Sequence, residues 1–222
     1  FHNLAKPKGP GLNTTSSITF YESDVHLENT RFLSNRDSDD ALNIFRSKFS
    51  ISKSLFSNSN ADALDIDFSD GDISDVVFNE CGAQDDNGDC IDISGAVVNL
   101  KNIQINGASD KALSIGEKSS VTAKRIKINY SKVAIASKDS SIIELDDIII
   151  NSSSFGFTAY QKKTEFGPGR ISAQNYFGKS IDTLHLLDKG STLILNGSKI
   201  KQFTKKHPLK IISKTIYTKR LH

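Results

Sequence analysis

Aspartates recur at a regular spacing in the first half of this 222-residue chain. "DSDDALNIF" at 37–45 and "SNADALDIDF" at 59–68 put a D-A-L-x-I word at Asp40 and again at Asp62. "GDCIDIS" at 88–94 and "SDKALSI" at 109–115 are looser copies. If these words stack, Asp62, Asp65, Asp67, Asp89 and Asp92 gather on one face, with Lys111, Lys132 and Lys138 further along it. Carboxylates at that density repel, so their pKa values rise unless a cation or an ammonium group compensates. Hard oxygen donors in such number suit Ca²⁺, which makes these five aspartates candidate metal ligands. A pair such as Asp65 and Asp92 also meets the need of glycoside hydrolysis for two carboxyl groups, ~5–5.5 Å apart for retention or ~6.5–9.5 Å for inversion. The competing account is structural: an aspartate ahead of a strand caps a turn and faces water, and Asp89 with Lys111 is then a solvated ion pair.

The elements that must position these residues follow from spacing. Taking the L-x-I pair as a ruler gives Leu42/Ile44, Leu64/Ile66, Ile91/Ile93, Leu113/Ile115, Ala134/Ala136 and Gly156/Thr158, in steps of 22, 27, 22, 21 and 22 residues. The long step contains "GAQDDNGD" between Cys81 and Cys90. A second apolar series, "FSISKSLF", "GDISDVVF", "VVNLKNIQI", "SVTAKRIKI" and "SIIELDDIII", runs in phase with the first. Alternating, β-branched runs separated by Ser, Asn, Asp and Gly are strand signals, and apolar residues almost never recur at helical spacing. Short strands repeating every ~22 residues bury their apolar faces only by stacking, which predicts an all-β chain folded as a right-handed parallel β-helix of about seven or eight coils. A leucine-rich repeat would need a fixed L-x-x-L-x-L-x-x-N frame, and a β-propeller ~40–50 residues per blade. The expected organisation is an N-terminal cap over 1–16, the β-helix over 17–200 and a basic tail or cap over 201–222.

The run "NADALDIDFSDGDISDVVF…GDCIDISGAVVNLKNIQI…SDKALSIGEKSSVTAKRIKI…VAIASKDSS…GFTAYQKKTEFGPG" resembles bacterial right-handed β-helix repeat proteins of the pectate-lyase-like superfamily, over roughly residues 17–180. The words "LSIGEKS", "IASKDSS" and "AYQKKTEFGPG" are its specific part. That superfamily holds polysaccharide lyases, hydrolases and epimerases as well as non-catalytic adhesins and spikes, so the resemblance speaks to fold first. It implies a lyase option in which Asp62, Asp65, Asp89 and Asp92 hold Ca²⁺ and Lys111, Lys132 or Lys138 abstracts a proton. In the ladder, Glu117 stands on the same face. The segment "AYQKKTEFGPGR" at 159–170 concentrates Tyr160, Lys162, Lys163, Glu165 and Arg170 beside a Gly-Pro-Gly turn. Those residues suit an acidic sugar, with Tyr160 as a stacking platform; a plain surface loop is the alternative.

Net charge is +2, but residues 1–110 hold 18 acidic and 8 basic side chains (net −10), and residues 111–222 hold 8 and 20 (net +12). An acidic half argues against a nucleic-acid-binding protein of the uniformly basic kind. No apolar run approaches the ~20 residues of a membrane span. The five histidines are scattered, without H-E-x-x-H or a Cys/His cluster, so zinc chemistry has no support. Cys81 and Cys90 are expected to form a disulfide in an oxidising compartment and to remain small buried thiols in a reducing one. "DDNGD" at 85–89 has the oxygen spacing of a calcium loop without its downstream glutamate, and reads as a turn. The chain opens on Phe1, and an upstream targeting segment or domain is expected. The basic tail reads first as a solvated terminus. Together these features describe an extracellular or surface β-helix engaging an acidic polysaccharide as a non-catalytic binding module. The alternative is a lyase- or hydrolase-like enzyme in which Asp65, Asp92, Lys111 and Lys138 carry the reaction.

Overall fold

Alternation leaves each short run with one face that water rejects, and the chain buries it by laying run upon run in parallel. The computed structural model describes residues 1–7, 14–83 and 87–215. Part of the expected N-terminal cap (8–13), two residues of the "DDNGD" turn (85 and 86) and the end of the basic tail (216–222) lie outside the described residues. On the first face Ile18 pairs with Leu42, then in turn come Leu64, Ile91, Leu113, Ile135, Phe157 and His185. The result is a parallel β-helix of about eight coils. Two further faces close the coil. One stacks Ile51, Ile73, Leu100, Ala123, Leu145 and Ala173. The other begins with the rings of Phe32, Phe56 and Phe78 at 4.5 and 4.8 Å and continues through Ile105, Ile128 and Ile150. Each such side chain, fully buried, contributes ~1.5–3 kcal/mol.

The corner after the first face is shared by six successive coils, beginning at Glu22. Arg46, Phe68, Gly95, Glu117 and Asp139 all have positive φ there. A left-handed phenylalanine is costly, and the next coil relieves it: a Cβ on Gly95 would lie 2.6 Å from the Phe68 ring, so only glycine leaves that ring its place. Buried serines satisfy the backbone behind the corner, as Ser47 N donates to Ser69 Oγ (3.0 Å), Ala96 N to Ser119 Oγ (3.1 Å) and Ser119 N to Ser141 Oγ (3.2 Å). An asparagine ladder joins Asn79, Asn106, Asn129 and Asn151 by side-chain amide bonds of 2.9–3.0 Å.

The ruler read from sequence slips at the fifth coil. Leu113 and Ile115 pair with Ile135 and Ser137, not with Ala134 and Ala136, and the sixth coil continues with Phe157 and Ala159. A register shift between Ala108 and Lys111 absorbs the difference. "VAIAS" offered no guide, because Ala134, Ile135 and Ala136 are all buried: the outside of this coil is covered as well. The cover is the tail. A short helix, Pro208–Ile212, packs Leu209, Ile211 and Ile212 against Val133, Ala136, Phe155, Tyr160 and Leu186. The apolar residues of "PLKII" thus dock residues 208–212 of a segment that reads by charge as a solvated terminus. At the other end, the strand His2–Leu4 pairs with Arg31–Asn35. No helix among the described residues is long and apolar enough to cross a membrane.

Candidate functional site

The slip leaves the acidic coils untouched, since it lies beyond them. Strands Asp40–Phe45, Asp62–Asp67 and Ile91–Ser94 bring Asn43, Asp65 and Asp92 into one outward column that continues with Ser114. Phe45, Asp67, Ser94 and Gly116 form the column beside it. These coils shape a cavity of about 390 Å³, within the ~300–1,000 Å³ of small-ligand sites. Asp40, Asp62, Asp65, Asp89 and Asp92 line it together with Lys111, Lys138 and Lys162.

Each aspartate is held by its neighbours. Asp62 Oδ1 accepts from the Asp89 backbone N–H (2.7 Å), and Asp89 Oδ1 accepts from that of Lys111 (2.9 Å). Lys111 Nζ lies 3.3 Å from Asp89 Oδ1 and also bonds Asp110 Oδ2, so the Asp89–Lys111 pair is a buried ion pair and not a solvated one. Asn43 Nδ2 donates to Asp65 Oδ2 (2.8 Å) and Asp67 Oδ2 (3.1 Å). Lys138 Nζ donates to Ser114 Oγ (2.7 Å) and lies 3.6 Å from Asp92 Oδ1. Its side chain passes over Gly116 at van der Waals distance.

Burial and crowding set the charges. Asp65 is pushed up to about 10, first by burial and then by Asp67, Asp40, Asp92 and Asp62. Asp62 moves well upward for the same reasons, with Asp89 the nearest contributor after burial. Asp40 reaches about 7, burial outweighing the bond from Thr15. Asp67 and Asp89 also rise on burial, against the Asn43 bond in one case and Lys111 in the other. Asp92 goes the other way. Burial would raise it, but Lys138, Lys111 and the Ser114 hydroxyl together hold it below the ordinary carboxylate value. Burial would likewise lower Lys111 and Lys138, yet Asp89 with Asp110, and Asp92, raise them above an ordinary lysine. Lys111 and Lys138, two of the three lysines expected as proton-abstracting bases, are therefore held in their ammonium form, the state in which a base cannot act. Lys132 leaves their column, because Lys111 pairs with Val133, and does not line the cavity.

Of the five expected metal ligands, three converge: Asp62, Asp89 and Asp92 have oxygens within 4.8 Å of one another, while Asn43 holds Asp65 and Asp67. Ca²⁺ takes six to eight oxygens. The ammonium groups of Lys111 and Lys138 supply positive charge to Asp89 and Asp92 within the same trio.

The 159–170 segment divides. Lys162 lines the cavity, and its backbone N–H and that of Lys163 donate to Asp139 Oδ1 (2.6 and 2.8 Å). The Lys163 ammonium pairs with Glu117 outside the cavity. Glu165 and Arg170 are exposed and do not line it. Tyr160 corrects the expectation of a sugar platform: it is fully buried, edge-on to His207 at 5.6 Å, under the docked tail. With the ruler one residue late, Tyr160 pairs with Lys138 in the column of Phe45 and Gly116, which the tail helix roofs at this point.

An aromatic strip does exist, on the other side of the aspartates. Tyr21 and Phe45 stack at 5.5 Å, Phe68 meets Phe45 edge-on at 5.7 Å, and Tyr21 and Phe68 are 43% and 52% exposed. A second hollow of about 270 Å³ runs from Tyr21 and Phe45 to Asp65 and Asp67, sharing Asp65 and Thr15 with the main cavity. Tyr21 and Phe45 stand one residue past a ruler position, the signal that could have found them. Asp110, which completes the Lys111 cage, carried no such signal.

No family model matches the chain, and no curated protein does. Among solved structures, the catalytic domain of a GH87 α-1,3-glucanase in complex with nigerose is similar over 81% of this chain, with 9% identity and a TM-score of 0.32. The chain spans about half of that domain (48%), and the likeness is too distant to inform the site.

Proposed function

We propose that this β-helix cleaves the glycosidic bonds of a polysaccharide, with Asp65 as general acid and Asp92 as the carboxylate that activates water. The observation that carries this reading is that two aspartates paired on adjacent rungs of one cavity have opposite surroundings, Asp65 among aspartates and Asp92 beside Lys138, which push the first carboxyl up and the second down. Two carboxyl groups whose surroundings push them apart are the acid and base of many hydrolases. Asp65 gives its proton to the glycosidic oxygen as the bond from the anomeric carbon breaks. Asp92 takes a proton from the water that attacks that carbon, and one water is consumed per bond. Lys162 gives the cavity a cation suited to an acidic sugar. The Cys81–Cys90 bridge, with Cα atoms 5.2 Å apart, supports an oxidising, extracytoplasmic setting.

A binding-only module is the second reading, favoured by the ion pair that already engages Asp92 with Lys138. Release of reducing ends from polygalacturonate, alginate, xylan and α- and β-glucans separates the two. Asp65→Asn and Asp92→Asn should each lower the rate ~10²–10⁴-fold. Wild-type protein that binds one of these glycans and releases nothing would establish the binding role instead.

A further inference from the structure

We infer that the pocket admits the end of a glycan chain and not an internal stretch, an inference that rests on the carbohydrate reading above. A polymer bound by its middle needs clear passage on both sides of the reacting pair. On a β-helix the natural passage runs along the stack, over the outward column of Asn43, Asp65, Asp92, Ser114, Ala136 and Thr158. In this molecule that passage is shut on one side and open on the other. Toward the C-terminal coils, Ser114, Ala136 and Thr158 are wholly buried. Lys138 Nζ meets Ser114, and the roof over Ala136 is the tail helix, pinned where His207 Nε2 meets the Gln161 carbonyl at 2.7 Å and Thr204 Oγ1 donates to the Leu187 carbonyl at 2.9 Å. Toward the N-terminal coils the column continues into the second hollow, lined by Asn43, which is tied to Asp65 and Asp67, and by Thr19 of the next rung. Thr15 crosses beside it, donating to Asp40 Oδ2 at 3.3 Å.

Asp65 and Asp92 thus sit at the floor of a short opening that ends blind toward the C-terminal coils. Across the strands one edge is also closed, by buried Asp89 and Lys111. The remaining exit leads past Asp67 into the hollow beside Tyr21 and Phe45. A terminal sugar unit occupies the pocket, and the units behind it leave over the aromatic strip, where ring faces stack on Tyr21 and Phe68.

The test uses size-fractionated polygalacturonate and β-glucan at equal sugar mass, titrated calorimetrically into the Asp92→Asn protein and, in the cold, into the wild type. A site for chain ends counts ends, so tenfold shorter chains should bind about tenfold more tightly per gram while affinity per chain stays constant. Affinity per gram that does not change with length would overturn the inference and leave a carbohydrate site standing. Absence of binding by every glycan to both proteins would overturn the inference and the carbohydrate reading together.

Discussion

Asp65 and Asp92 pair across one rung of the helix in opposite surroundings: burial and four aspartates push the Asp65 carboxyl up, and Lys138, Lys111 and Ser114 hold that of Asp92 below its ordinary value. The difference arises from position along the stack. Asp65 looks back toward acidic coils and Asp92 forward toward basic ones.

Removing the ammonium group that holds Asp92 should move its titration. In Lys138→Met the remaining balance for Asp92 shifts toward burial, so its pKa rises. The acid limb of the pH–rate profile should move upward by about one unit or more, with the alkaline limb, set by Asp65 near 10, at or above its wild-type place. An unmoved acid limb would show that Lys138 does not set the charge of Asp92.

Stability should fall as pH rises through neutrality. Asp40 and Asp65 keep protons in the folded state that the unfolded chain has already lost, so the folded state binds more protons between about 4 and their raised values of about 7 and about 10. Their stabilising contribution is complete below the unfolded value and is lost through those raised values. Asp40→Asn should therefore flatten the decline in melting temperature between pH 4 and 8. Denaturation scans at several pH values check this.

Reduction should loosen one wall of the pocket. Cys81 and Cys90 close a loop with a sequence separation of 9, worth roughly 2–3 kcal/mol by chain entropy. Asn87 and Asp89 of the cavity belong to that loop. Urea unfolding with and without a reductant should show this loss in the wild type and no loss in a Cys81→Ser, Cys90→Ser double variant.

The ring stack supplies a measure of the core itself. Phe56 is fully buried between Phe32 and Phe78, and its truncation leaves a hole in a column that cannot collapse without shifting three coils. Phe56→Ala should cost ~3–5 kcal/mol, read as a lower urea midpoint with unchanged slope.

Much of this architecture is legible in the sequence because a solenoid repeats one short rule. Leu42, Leu64, Ile91 and Leu113 announce their stacking by spacing alone, and Asp65 and Asp92 follow as the residues between inward positions. Legibility fails where a coil is buried on both sides. At "VAIAS" alternation carries no contrast, so the ruler slips and Tyr160 is misread as exposed. What buries it is the tail helix, a contact between residues 46 or more positions apart that no local pattern encodes. Charge states were partly readable: crowded aspartates imply raised values, but which one escapes depends on where Lys138 reaches across Gly116.

Parallel stacking also turns order in the chain into order in space. Each coil lies beyond the last, so among the described residues the acidic coils up to residue 110 and the more basic coils after it lie at opposite ends of the stack, which gives it an electric dipole along its axis. Such a rod experiences a torque near any charged surface and presents its basic end to an anionic one. Approach to an acidic matrix would thus be oriented before contact, with the pocket held nearer the trailing end.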